Sequence, residues 1–175
     1  MWTIKNTEKN ITNIQNVDLA DIFDRKYILV TTHRRESFGE PMTNTMKALS
    51  GIAKRFPKIP IIFPVHFNPN VRAKVDEYLR GIDNIILIDP VDYKKFAHLM
   101  NKSYLLLTDS GGIQEEAPSL GKPILVLRDT TERPEGIEVG TARLVGTNKD
   151  LIVSETTRLL TDDSYYQAMA SAVNP

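Results

Sequence analysis

The feature that most constrains this chain is a succession of six short apolar runs, each free of polar alternation and each followed by turn residues and a helix-length stretch. The runs are Tyr27–Thr32, Pro60–Pro64, Ile85–Ile88, Tyr104–Thr108, Ile124–Leu127 and Ala142–Val145. A strand that exposes one face to water alternates apolar and polar residues, whereas a strand covered on both faces does not. The pattern therefore predicts an α/β fold with a parallel sheet between two helical layers. Helices are expected at 42–56, 70–80, 93–102, 112–120, 148–161 and 163–172. Asn68-Pro69 supplies a cap followed by proline at the first helical position, and Asp92 caps the helix that carries Phe96. Val17–Phe23 suits one or two helical turns, but Lys5–Gln15 is polar and aperiodic, so 1–26 reads as a linker or N-terminal extension and 27–175 as one domain.

Composition narrows the partners. Basic and acidic residues both number 22, so no overall field concentrates nucleic acid or an anionic membrane, and neither is expected as a partner. The absence of Cys removes disulfides, thiol catalysis and thiolate metal sites, and points to a cytoplasmic setting. No apolar run reaches the ~20 residues of a membrane-spanning helix. The three histidines lack H-x-x-x-H spacing, so no metal site is expected. No G-x-G-x-x-G is present, and Gly121-Lys122 is followed by Pro123 where a phosphate-binding P-loop needs Ser or Thr.

In open α/β sheets ligands sit beyond the carboxyl ends of the strands. Here the loops at those ends hold His33-Arg34-Arg35-Glu36-Ser37, His66-Phe67-Asn68-Pro69, Asp89-Pro90-Val91-Asp92, Asp109-Ser110-Gly111-Gly112 and Arg128-Asp129-Thr130-Thr131-Glu132-Arg133-Pro134-Glu135. Two glycines between a strand and a helix let the backbone approach an anion closely, most simply a phosphate, and one of Glu115 and Glu116 would then suit a ribose. The same residues also fit a plainer arrangement in which Ser110 caps the helix and both glutamates complement its dipole. The His33-Arg34-Arg35 cluster favours the phosphate, because a micromolar ligand needs about 8 kcal/mol and one charge-assisted hydrogen bond supplies only about 1.5–3. Taken singly, His66 reads as a structural histidine, Phe96 as a core residue and His98 as incidental.

The strings Thr32-His33-Arg34-Arg35-Glu36, Pro64-Val65-His66-Phe67-Asn68-Pro69-Asn70-Val71, Thr108-Asp109-Ser110-Gly111-Gly112-Ile113-Gln114-Glu115-Glu116-Ala117-Pro118 and Thr131-Glu132-Arg133-Pro134-Glu135 resemble the bacterial non-hydrolysing UDP-N-acetylglucosamine 2-epimerases. The resemblance runs from about Tyr27 to Pro175 and implies the second of two Rossmann-like domains in a glycosyltransferase-B architecture. It implies a cytoplasmic homodimer that interconverts UDP-N-acetylglucosamine and UDP-N-acetylmannosamine for surface polysaccharides, without a cofactor. The first domain, which in the family supplies the carboxylates that move protons at the sugar, is not among these residues, and the family pattern continues past Asn174-Pro175.

Carried across, the resemblance has Ser110 and the Gly111 and Gly112 backbone hold the diphosphate, and Glu116 the ribose. It has Arg133 near the phosphates and Phe96 against the uracil. Arg34 and His66 match positions that contact a second, regulatory UDP-N-acetylglucosamine in some members. The implied chemistry is elimination of UDP to a 2-acetamidoglucal and re-addition with the proton on the opposite face. His33 is the candidate proton donor, being of the side-chain type that titrates nearest neutrality. A hydrolysing relative, a glycosyltransferase domain and a non-catalytic nucleotide-binding module remain alternatives.

Overall fold

The computed structural model describes residues 19–172. Six strands form one parallel sheet: β1 (Ile28–Thr31), β2 (Ile61–Pro64), β3 (Ile85–Ile88), β4 (Leu105–Thr108), β5 (Ile124–Val126) and β6 (Ala142–Leu144). Their order is β3-β2-β1-β4-β5-β6. The chain thus winds outward from β1 to one side, then returns to β4 and winds outward to the other. Thr31 stands beside Thr108 in the central register, and the loops leaving these two strands diverge to open a crevice.

Alternation along each strand feeds two separate cores. Ile28, Val30, Ile61, Phe63, Leu105 and Leu107 pack into one layer with α2 (Glu40–Arg55), α3 (Pro69–Tyr78), α7 (Lys149–Thr161) and α8 (Asp163–Ala170). Tyr27, Leu29, Ile62, Ile86, Leu106, Ile124 and Val126 face the opposite layer with α1 (Leu19–Phe23), α4 (Tyr93–Lys102) and α5 (Gly111–Glu116). From β1 to β5 both faces of the sheet are largely buried, which is why those strands carry no polar alternation, whereas Arg143 is exposed on the edge strand β6. Buried Leu19 and Ile22 belong to the second core, so α1, expected to lie in a linker, packs against the sheet. The expected linker stretch Lys5–Gln15 lies outside the described residues.

Each expected strand is present to within one residue at either end. The helices differ in instructive ways. The helix expected at 42–56 starts at Glu40, behind Gly39 in the left-handed region (φ 86°) and with Pro41 in its first turn. The stretch expected as one helix over 112–120 is α5 followed by a 3-10 turn, Ala117–Leu120. Pro118 has no N–H for an α-type bond back to Gln114, so the chain tightens there before Gly121 ends it. Sequence periodicity missed α6 (Pro134–Val139), which is only six residues long. No helix among the described residues is long and apolar enough to cross a membrane.

Candidate functional site

The crevice between β1 and β4 is built around Asp109, whose residue surface is wholly buried at the end of β4. Its Oδ2 accepts from the Thr32 hydroxyl (2.9 Å) and from the backbone N–H groups of His33 (3.0 Å) and Arg34 (3.1 Å). One carboxylate thereby folds the β1 loop across the end of the neighbouring strand. Below it, the Thr31 and Thr108 hydroxyls pair at 2.8 Å. The half-exposed His33 imidazole stands with Nδ1 3.5 Å from Asp109 Oδ1, and its ring stacks on His66 with centroids 6.2 Å apart. His33, His66, Pro64, Pro90, Val91 and Phe96 line a cavity of about 140 Å³. Phe96 is only partly buried, with the rest of its ring packed on the second core.

Ser110 precedes α5, but its side chain makes no capping bond; its backbone N–H instead donates to the Thr108 hydroxyl at 3.0 Å. The first N–H groups of α5, from Gly111 onward, have no partner within the helix. A Cβ added to Gly111 would stand 3.9 Å from Arg34 Nη2, so the arginine lies close over the glycine backbone. The two adjacent carboxylates part company. Glu115 forms an ion pair with Arg133 Nε at 2.5 Å, while Glu116 accepts from the Tyr93 hydroxyl at 3.0 Å, toward the helix that bears Phe96. That bond to Glu116 is the main reason the Tyr93 hydroxyl titrates above the ordinary tyrosine value.

The β5 loop closes the rim. Thr131 donates to buried Gln114 Oε1 at 2.6 Å and receives the Arg133 backbone N–H at 3.0 Å, tying this loop to α5. Arg128 reaches Glu132 and Glu36, both at 3.1 Å, and Arg34 joins the cluster through Glu36 (3.6 Å) and Glu132 (3.9 Å). Hydrogen bonding from Arg128 holds the Glu132 carboxyl below the usual range. Arg34 therefore has carboxylates beside it as well as the Gly111 backbone.

On the β2 loop, Arg72 donates to the carbonyls of Val65 (3.1 Å) and His66 (3.3 Å) and to Asp89 (2.7 Å), which fixes the exposed His66 at the cavity mouth. The Asn68 backbone N–H donates to His66 Nδ1 at 3.1 Å. Asn68 and Asp92 cap α3 and α4 as their sequence positions predict. His98 lies apart from the crevice, edge-on to Phe23, with its imidazole pushed down by burial and then by Lys102.

Of the residues singled out in the sequence, His33, His66 and Phe96 share the cavity. Arg34, Ser110, Gly111 and Gly112 meet beside it, while Glu116, at the end of α5, reaches Tyr93 and Arg133 reaches Glu115. Sequence reasoning missed the tie through Asp109, the Tyr93 hydroxyl on Glu116 and the Arg72 clamp. Their only trace in the chain is position: an acid directly after a strand, an aromatic directly after a capping aspartate, and an arginine one turn into a loop-starting helix. Taken together, the site offers backbone and cationic donors for an anion, a partly exposed aromatic face, and two exposed imidazoles stacked at one cavity.

Comparison with known proteins gives this geometry a context. The profile of the family described as UDP-N-acetylglucosamine 2-epimerase matches residues 2–175. A UDP-N-acetylglucosamine 2-epimerase of Yersinia pestis is 60% identical over 152 residues, which are 87% of this chain and 40% of that protein. The crystal structure of the Neisseria meningitidis UDP-GlcNAc 2-epimerase bound to UDP-GlcNAc superposes with a TM-score of 0.84 at 48% identity, covering 87% of this chain and 41% of that one. The C-terminal domain of a group 1 glycosyltransferase from Francisella tularensis superposes over 90% of this chain and 89% of its own with a TM-score of 0.68. At 15% identity that likeness concerns the fold alone. The chain spans about 40% of the length of the curated relatives it matches.

Proposed function

The chain belongs to the UDP-N-acetylglucosamine 2-epimerase family, and on that premise we propose that it is the nucleotide-gripping domain of an enzyme that interconverts UDP-N-acetylglucosamine and UDP-N-acetylmannosamine. In this reading it works with a preceding Rossmann-like domain, in a cytoplasmic homodimer supplying N-acetylmannosamine units for surface polysaccharides. The Ser110 hydroxyl and the Gly111 and Gly112 N–H groups hold the diphosphate, with Arg133 adding positive charge at the rim. Glu116 accepts the ribose hydroxyls and Phe96 backs the uracil. Arg34 and His66 would contact a second, regulatory sugar nucleotide.

The chemistry follows from where charge develops. The proton at C2 of the sugar leaves to a base of the other domain, the C1–O bond to the β-phosphate breaks, and a 2-acetamidoglucal and UDP remain. Negative charge gathers on the departing phosphate, so donors facing it stabilise the transition state. His33 gives that phosphate a proton and takes it back as the C1–O bond re-forms, while an acid of the other domain delivers a proton to C2 on the opposite face.

The observation that carries this reading is the neighbourhood of His33 and the helix start at Gly111, joined through Asp109 at the switch point. A full-length enzyme carrying this domain is to be turned over on UDP-N-acetylglucosamine in deuterated water. The proposal expects deuterium at C2 of recovered sugar nucleotide with little free UDP. Release of UDP in step with turnover and no deuterated sugar nucleotide would instead indicate a hydrolase or transferase.

A further inference from the structure

We infer that Asp109 is a positioning residue for His33, holding the imidazole in the Nδ1–H form so that Nε2 faces the crevice, a role that rests on the proposed part of His33 in the reaction.

The two oxygens of this carboxylate do different things. Oδ2 takes three donors, from Thr32, His33 and Arg34, which is sufficient to fix the loop. Oδ1 is buried and has no hydrogen-bond partner among the described residues. A buried carboxylate oxygen left without a donor is costly, and native structures keep such a group where something else uses it. The atom it faces is His33 Nδ1 at 3.5 Å. That separation is loose for a hydrogen bond, as such contacts often are without substrate, and a small ring rotation closes it. Loop fixation alone would not require a carboxylate, since the carbonyl of an asparagine accepts the same three donors. Which imidazole nitrogen carries the proton is set by the partner of the other. An acceptor at Nδ1 keeps the proton on that nitrogen and leaves Nε2 as the atom that exchanges a proton with the phosphate. His66 contrasts with this, because its Nδ1 accepts a backbone N–H. The stacked pair therefore presents two imidazoles of opposite polarity to one cavity.

The isosteric variant Asp109→Asn separates the two oxygens. Its carbonyl retains the loop bonds, while its NH2 presents a donor to His33 Nδ1 and drives the ring to the Nε2–H form. The tautomer is read directly on the ¹⁵N-labelled chain by two-bond ¹H–¹⁵N correlations, with His33 assigned by its loss in His33→Gln and its own shifts used to choose a pH at which the ring is neutral. The Nδ1–H pattern is expected in the unaltered chain and the Nε2–H pattern in Asp109→Asn. An Nε2–H pattern in the unaltered chain overturns the inference, and that measurement needs no variant of Asp109 to fold. In a full-length enzyme, Asp109→Asn should lower kcat about 10- to 100-fold while UDP affinity changes less than about threefold, and His33→Ala/Asp109→Asn should be no slower than His33→Ala. Losses that multiply in the double variant contradict the inference. Failure of the chain to bind UDP would instead strike the proposed function, whatever tautomer His33 shows.

Discussion

Glu115 and Glu116 are neighbours of the same chemical type, and the structure gives them different surroundings. Glu115 lies in an exposed pair with Arg133, an arrangement that contributes about 0–1 kcal/mol. Glu116 points toward Tyr93 and the helix that bears Phe96. In the proposed reading only Glu116 gives a charge-assisted bond to ligand, of about 1.5–3 kcal/mol. Glu116→Ala should therefore weaken UDP binding at least about tenfold, and Glu115→Ala less than about threefold, by titration calorimetry. Equal losses would contradict the assignment. Residue type leaves these two acids equivalent, since either suits a ribose and both suit a helix dipole; the family resemblance chooses Glu116, and in the structure the partners from α4 and the β5 loop set the two apart. The same holds for Ser110. Its expected alternative, a side-chain helix cap, is not made, and residue type alone does not settle that point. His33 was legible as a candidate because strand ends gather loops at a switch point, and His66 and Phe96, which read singly as structural and core residues, entered only through the family resemblance; the Asp109 bonds join residues 75 to 77 positions apart and leave no local pattern.

At the scale of elements, the sheet was readable because its strands are buried on both faces and bounded by turn chemistry. Ile85–Ile88 is the plainest case, four fully buried apolar residues ahead of Asp89-Pro90. The helix Pro134–Val139 was not, because six residues are too few to show a helical period, and it is defined by Pro134 at its start and left-handed Gly140 at its end. The α4 start is where element and site meet. Asp92 Oδ1 accepts the Lys95 N–H at 2.9 Å, fixing the turn that bears Tyr93 and Phe96. Asp92→Ala should cost about 1 kcal/mol and lower Tm by about 2–4 °C in calorimetry. An unchanged Tm would show that the cap contributes nothing to the fold.

For the whole molecule, the two cores differ in what they hold besides hydrocarbon. Tyr166, at the margin of the first core, stacks on Tyr104 with centroids 4.0 Å apart and donates to the Tyr104 carbonyl at 2.7 Å. Burial pushes its hydroxyl from the ordinary 10.0 up to about 12. Tyr27, in the second core, donates to the Leu99 carbonyl and is raised further by burial. A folded-state value above the unfolded one means that this stability is fully present below about pH 10 and is lost as pH rises through the folded value. Urea unfolding should thus show a fall in stability between about pH 10 and 12, shallower in Tyr166→Phe, which in turn gives up about 1 kcal/mol at neutral pH with its hydrogen bond. An identical alkaline slope in the variant would remove Tyr166 as the cause. What the molecule does depends on whether the loops around β1 and β4 act as one uridine diphosphate cradle. Titration of this chain with UDP and then with ADP tests that most directly: the account predicts saturable UDP binding at least about tenfold tighter than ADP, and equal binding of the two, or none of UDP, would contradict it.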